Sequence, residues 1–206
     1  MLIGMSAAGA EKLRAAASGL RGYPKASARA GTKAVNDVAH ATHAAASSDM
    51  VQRYNLPAAY IRAQFRTVPA KGENGTAIVK VGRQETRRAR FGSKQVTVSA
   101  KRAKGDPRRG IPAGRKQAGV SYQYLRAGSR RTSDKAFFLP LRAGKVSGGN
   151  GFGMFERFGD KVEQLYGVAP YQVFDDWVIQ HREQLQRSLV TSWRARLAGE
   201  IRRSGK

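Results

Sequence analysis

VFDDWVIQHREQLQRSLVTSWRARLAGEIRR, residues 173–203, is the strongest helical pattern of the chain. Its large side chains recur every four residues, which places them on one face of an α-helix. Acidic residues in its first turn and arginines in its last turn are favourable for the helix dipole. We therefore predict a long C-terminal amphipathic helix. Its stripe consists of Trp177, His181, Leu185, Leu189, Trp193, Leu197 and Ile201, broadened by Phe174 and Val178.

Alanine-rich helices are predicted at the other end of the chain. Residues 6–20 are a short candidate, and residues 24–54 form a longer one that opens on a proline, a favourable first helical residue. The apolar face of the longer helix has small side chains, so it permits close packing of another backbone or of a second copy but buries little area. This is an argument for oligomerisation. The face consists of Ala34, Val35, Val38, Ala39, Ala45 and Ala46, with Thr42 as its polar member.

Between these helices the period changes to that of β-strands. A short helix is predicted at 58–65, after which segments 76–82, 94–100, 119–126, 135–142 and 152–158 are rich in β-branched or aromatic residues. Short glycine-rich connections favour antiparallel pairing. The predicted fold class is α+β: N-terminal alanine-rich helices, a central antiparallel sheet with a long basic loop, and the C-terminal helix. We predict an N-terminal extension at 1–23 and a single α+β domain at 24–206.

The net charge indicates an acidic partner. The 206 residues include 38 Lys+Arg and 14 Asp+Glu, for a formal charge of +24. Self-repulsion on this scale opposes compaction, so we expect a nucleic acid or an acidic protein surface to bind it, a merely solvated basic surface being the third possibility. Arginine outnumbers lysine, which favours bidentate contacts to carboxylate or phosphate without choosing between them. No apolar run is long enough for a membrane span, and no signal peptide is recognisable, so we expect no membrane partner and no export.

Much of this charge lies in a basic arm at 83–131, with fifteen lysines and arginines and two acids, Glu85 and Asp106. Its middle, SAKRAKGDPRRGIPAGRKQAG at 99–119, has no periodic apolar face. We expect a long loop that is mobile in the free protein and is ordered by a partner. The residues predicted to contact that partner or DNA are Arg83, Arg87, Arg88, Arg90, Lys94, Lys101, Arg102, Lys104, Arg108, Arg109, Arg115 and Lys116.

No pattern of residues predicts an enzyme or a cofactor. Cysteine is absent, and the scattered acids do not form the cluster that a metal-dependent hydrolase would need. His40 and His43 could share a helical face with Asp37 as a third metal ligand, but solvated polar residues are the more ordinary explanation, and we predict no metal site. A faint version of a single-strand stacking platform is formed by Tyr122, Tyr124 and the Phe137–Phe138 pair, beside Arg126, Arg130 and Arg131. Alternation in a sheet explains them more simply.

The order of segments resembles the minor tail protein Z family of tailed bacteriophages and related tail-completion and neck proteins. The resemblance covers roughly 24–205. Its carriers are KASARAGTKAVNDVAHATHAAA, RYNLPAAYIRAQF, ETRRARFGSKQVTVSAKR, GVSYQYLRAGSRR, AFFLPLRAGKVSGGNGFGMFERFG and KVEQLYGVAPYQVF, in collinear order. This chain differs in its N-terminal extension and in a longer glycine-rich turn at 147–153.

The resemblance implies a structural virion protein of the tail or neck, present in the host cytoplasm during assembly. It implies a closed homo-oligomeric ring of six or twelve copies that contacts tail-tube, connector or portal proteins and passing genomic DNA. It supplies no catalytic residues. The bulky residues expected as interface or core anchors are Trp177, Trp193, Phe174 and Phe155. The alternative is a non-specific, basic nucleic-acid-binding protein.

Overall fold

The computed structural model describes residues 24–72, 75–141 and 151–204. The predicted helix at 6–20 and most of the turn at 147–153 therefore lie outside the described residues. Within the region predicted as one domain, the chain forms two compact units, each discontinuous in sequence. The α+β class is confirmed. The helices are α1 (Pro24–Arg53), α2 (Ala58–Gln64) and α3 (Pro170–Ser204); the strands are β1 (Phe65–Val68), β2 (Ile78–Val81), β3 (Lys94–Ser99), β4 (Arg115–Tyr122), β5 (Arg131–Ser133), β6 (Phe137–Pro140), β7 (Phe152–Phe158) and β8 (Lys161–Gln164).

The first unit combines 24–47 of α1, the antiparallel β1–β2 pair and 171–204 of α3. In its buried cluster, small residues of α1 pack against large residues of α3. Side chains of alanine size on α1 leave room beside that helix for the indole ring of Trp193. A polar residue of α1 also forms hydrogen bonds with the backbone of the first unit. Asn36 donates to the carbonyl of Ala70 at 3.2 Å and accepts from its amide at 2.7 Å. The cluster consists of Ala26, Ala30, Ala34, Leu189, Trp193 and Leu197.

The apolar face predicted for α1 coincides only partly with the residues that are buried in the structure. Ala34, Ala39, Thr42 and Ala46 are buried, whereas Ala45 is exposed. A residue of α1 is buried where it contacts another element of the fold. Local periodicity predicts the approximate position of that face but does not determine which residues make the contacts.

The second unit contains 48–63, 83–141 and 151–170, with two three-stranded antiparallel sheets ordered β3-β4-β5 and β6-β7-β8. The predicted strands are thus antiparallel, but those described belong to three small sheets, counting β1–β2, instead of one central sheet. The sequence does not predict strands β1, β5 and β8, which have three or four residues, too few for a visible alternation. The core of this unit consists of Ala89, Val120, Tyr122, Ala136, Phe138 and Met154.

The expectation of a long irregular loop at 99–119 needs correction. Strand β4 begins at Arg115, four residues before the predicted strand, and pairs with β3 through Ser99. A one-turn 3-10 helix, Pro107–Arg109, lies at the end of the resulting hairpin. The segment lacks an apolar face because a two-stranded ribbon is held by backbone hydrogen bonds, which composition does not reveal.

Candidate functional site

The structure divides the predicted contact residues into two groups. Four arginines form hydrogen bonds or cation–π contacts within the second unit, namely Arg88, Arg90, Arg109 and Arg115. The others make no side-chain hydrogen bond or ion pair with a described residue. Seven of them are exposed, namely Arg83, Lys94, Lys101, Arg102, Lys104, Arg108 and Lys116, and Arg87 is half-buried.

Arg88 and Arg90 pack on tyrosine rings of the second unit. The Arg88 guanidinium donates to the carbonyl of Tyr166 at 3.1 Å and lies 5.1 Å from the centre of the Tyr122 ring. The Arg90 guanidinium lies 4.3 Å from the centre of the Tyr60 ring, and burial lowers the pKa of Arg90. Cation–π contacts of this kind stabilise a partly desolvated arginine. These two side chains therefore support the fold.

Arg109 organises the end of the hairpin. Its Nε donates to Asp106 Oδ2 at 2.7 Å, and its Nη1 donates to Gln117 Oε1 at 3.2 Å. Asp106 also caps the 3-10 turn by accepting from the Arg109 amide at 3.3 Å. The hydrogen bond from the Arg109 side chain is the main reason that the pKa of Asp106 is lowered. Arg115 is held across the ribbon, with its Nη2 2.8 Å from the carbonyl oxygen of Thr97.

Two further arginines, which the sequence placed only beside the candidate stacking residues, have structural roles. Arg126 donates through Nε to the carbonyl of Val51 at 2.8 Å, and its amide donates to the carbonyl of Arg53 at 2.9 Å. Both carbonyls lie in the last turn of α1, where no intrahelical donor remains, so Arg126 caps this helix. Arg130 donates to the carbonyl of Gly92 at 2.6 Å. No local signal distinguishes these two from their basic neighbours.

The exposed cations are concentrated at the hairpin tip, which we define as residues 100–114. The tip is closed by hydrogen bonds from the Ala100 amide to the Gly114 carbonyl and from the Gly114 amide to the Ala103 carbonyl, both at 2.8 Å. Asp106 and Ile111 form a second bridge within it. Four exposed cations project from this small closed loop: Lys101, Arg102, Lys104 and Arg108. The arrangement is suited to binding an extended array of anions.

The predicted anchors occupy two kinds of position. Trp193 lies in the core of the first unit, Phe174 packs edge-on against Phe65 with ring centres 5.5 Å apart, and Trp177 stacks on His181 at 4.1 Å. All three predicted anchors in α3 are buried. Phe155 is half-buried and stacks on Phe137 with ring centres 6.5 Å apart.

The three residues weighed as metal ligands have separate environments. Asp37 accepts from Arg196 and Ser192, and the hydrogen bond from Arg196 is the main cause of its lowered pKa. His43 stacks on Phe65 and lies 2.9 Å from the Thr67 hydroxyl, while His40 is exposed. Within 24–72, 75–141 and 151–204, no group of three histidines or acids is placed to hold a metal ion.

The aromatic residues considered for base stacking are used inside the second unit. Tyr122 and Phe138 are buried in its core, and Tyr124 packs edge-on against Phe91 with ring centres 4.8 Å apart. Burial raises the pKa of Tyr124. A stacking platform needs exposed ring faces, so the structure favours the simpler explanation, alternate residues of a sheet.

No helix in the described part of the chain is long and apolar enough to cross a membrane. No family model, no curated protein and no solved structure matches the chain.

Proposed function

We propose that this chain is a structural, non-enzymatic protein of a tailed-bacteriophage virion, acting in tail completion or at the head–tail junction. In this role copies assemble into a closed ring of six or twelve around the particle axis and contact tail-tube, connector or portal proteins. Its work is mechanical and electrostatic. It requires a rigid scaffold, an apolar surface for its neighbours and a cationic surface for an acidic partner.

The observation that carries the proposal is the agreement between the family-like segments and the folded elements. The segment at 25–46 lies within α1, that at 53–65 runs from the end of α1 through α2, and 161–174 includes β8 and the start of α3. The segment at 136–159 contains β6 and β7. These segments of the resemblance thus coincide with successive helices and strands of this chain, and this is what supports the proposal.

An outward sheet face supports the assembly role. Pairing across β6, β7 and β8 places Phe137, Leu139, Phe155 and Val162 on the side opposite to the core residues Phe138 and Met154. The Val162 side chain is 41% exposed to solvent, and Leu139 is also exposed. The same side also carries Arg157 and Gln164, so the surface combines apolar and polar side chains. Such a combination is typical of protein–protein contact, and in a ring its occupant is the neighbouring copy.

Electron microscopy of particles made with and without the protein tests the proposal, together with its copy number per virion. We expect unjoined tails or necks without it, and a fixed copy number of six or twelve in complete particles. Val162→Asp should lower the copy number, because it places a charge in the subunit contact. Val98→Asp is the matched control, since Val98 has 42% exposure on a different sheet. Normal particles without an ordered copy would refute the proposal.

The alternative function, non-specific nucleic-acid binding without a virion role, is favoured by the unpaired cations of the hairpin tip. It predicts affinity for any nucleic acid and a steep decrease of binding with salt. A basic neck protein would show the same affinity in solution. Dependence of particle assembly on a stoichiometric number of copies separates the two functions.

A further inference from the structure

We infer that the hairpin tip, residues 100–114, binds the phosphate backbone of double-stranded DNA. This deepens the proposed function, on which it rests for the source of the ligand, the genome end that passes the neck. The binding surface consists of Lys101, Arg102, Lys104 and Arg108.

The first argument is that the tip is organised before any ligand arrives. Its base is closed by the two hydrogen bonds at Gly114, and the Asp106 amide and carbonyl both pair with Ile111, at 2.6 and 2.9 Å. Ile111, itself a residue of the tip, is buried. A ligand therefore does not have to order this loop, and the entropic cost of binding is reduced.

The second argument concerns the charge that remains uncompensated. Asp106 is the one carboxylate in the tip, and it accepts from the side chain and amide of Arg109. It forms no ion pair with the four projecting cations. The acid thus stabilises the turn instead of neutralising the surface. Four neighbouring cations without described partners repel one another until an external polyanion neutralises them.

The third argument distinguishes phosphates from an acidic protein. Protein interfaces derive most of their affinity from buried aromatic or aliphatic anchors. The tip exposes none: Ile111 is buried, and the exposed uncharged side chains are those of Pro107, Pro112 and Ala113. Phosphate contacts need only lysines and arginines. A two-stranded ribbon also has the dimensions that fit the major groove of B-form DNA.

The tip also lacks the side chains that read adenine. Bidentate recognition of adenine requires asparagine or glutamine, and the tip contains neither. The nearest glutamine, Gln117, accepts from Arg109 and donates to the carbonyl of Ala136 at 3.3 Å. The tip is therefore equipped for backbone contacts, whose affinity falls with salt.

The test is a titration of the purified full-length protein with a labelled duplex of about 30 mixed base pairs, followed by fluorescence anisotropy at several salt concentrations. The tip variant replaces all four cations by glutamine: Lys101→Gln, Arg102→Gln, Lys104→Gln and Arg108→Gln. The control removes the same charge from exposed cations of the first unit, which have no described partners: Lys80→Gln, Arg182→Gln, Arg194→Gln and Arg202→Gln.

We expect the tip variant to bind duplex at least about ten-fold more weakly, with a salt slope smaller by roughly 0.9 for each phosphate that it no longer neutralises. The control should stay within about three-fold of the original protein. A charge-preserving variant, Lys101→Arg with Lys104→Arg, should bind as the original does. Equal decreases of affinity in the tip and control variants would overturn the inference, because net charge alone would then explain binding.

Two competing ligands complete the test. Poly-glutamate that competes with the duplex at equal charge concentration would overturn the inference in favour of an acidic protein surface. Single-stranded DNA that binds more tightly than duplex would overturn the choice of double-stranded DNA. The proposed function fails by a different result, the lack of a fixed copy number in particles, which the duplex titration does not affect.

Discussion

Alanine at Gly119 should disrupt the pairing of β5 with β4, the strand that follows the cationic tip. Gly119 has a φ of +108° and lies where the pairing of β3 with β4 shifts register. A Cβ at this position would lie 2.4 Å from the carbonyl oxygen of Ser133 and 2.7 Å from Cα of Asp134. Both are backbone atoms of the neighbouring strand region, so the overlap cannot be relieved by rotating a side chain. Gly119→Ala therefore requires the strands to separate.

The expected decrease in unfolding free energy has two parts. The left-handed backbone costs a non-glycine residue about 1–2 kcal/mol, and overpacking against fixed atoms costs about 1–3 kcal/mol. Gly114→Ala isolates the first part, because Gly114 has a φ of +76° and no atom lies within 4 Å of its added Cβ. We expect Gly119→Ala to cost about 2–5 kcal/mol and Gly114→Ala about 1–2 kcal/mol.

Equilibrium urea unfolding by far-UV circular dichroism measures both variants. Amide exchange of the 115–122 peptide reports the opening of β4 from its neighbouring strands. If the two variants differ by less than about 0.5 kcal/mol, the backbone around Ser133 is not rigid, and the close approach of β5 to Gly119 does not explain the glycine.

Three other predictions concern the first unit. Trp193→Ala should lower the unfolding free energy in urea by about 3–5 kcal/mol, because it leaves a cavity in the core. Ile179→Ala is the control, since this side chain is 71% exposed and its loss should change the same free energy by less than about 0.5 kcal/mol. Equal effects of the two substitutions would contradict the assignment of the core. Asp37→Asn should remove the ion pair with Arg196 and, because that pair is partly exposed, cost within about 1 kcal/mol at neutral pH. The pKa of Asp37 is lowered in the fold, so its stabilisation is complete above the unfolded pKa of about 3.9 and is lost as pH falls through the folded value. Unfolding measured between pH 5 and 2 should thus depend on pH less steeply in Asp37→Asn, and parallel curves would refute this. Gly199→Ala should raise stability by about 0.5–1 kcal/mol, because the residue lies inside α3 and no atom lies within 4 Å of its added Cβ; a lower thermal midpoint would contradict it.

The long helices could be predicted closely because their signals are local. Pro24 opens α1 as predicted, and the four-residue spacing from Trp177 to Ile201 lies entirely within α3. Strand β7 could also be predicted with its bounds, since its aromatic residues stand between glycines. Where three or four residues pair with a distant strand, as in β1 and β8, the stabilising contacts are outside the segment itself.

The sequence predicts the basic region that contains the candidate site. Only the fold shows which residues of that region are available to a ligand. Composition marks 83–131 as basic, because charge is a property of residue type alone. Composition does not show that Asp106 binds Arg109 and thereby leaves Lys101 and Lys104 uncompensated. That distinction depends on how the ribbon closes.

The sequence by itself determined the α+β class, the two long helices and the net charge, because periodicity, end signals and residue types act over a few neighbouring positions. Only the tertiary structure decided which cations remain available. Arg126 reaches a carbonyl 75 residues away, and Arg88 meets Tyr166 across 78 residues. Such pairings are set by the packing of distant elements, so identical arginines become a helix cap, a ring partner or an exposed charge according to where the chain brings them.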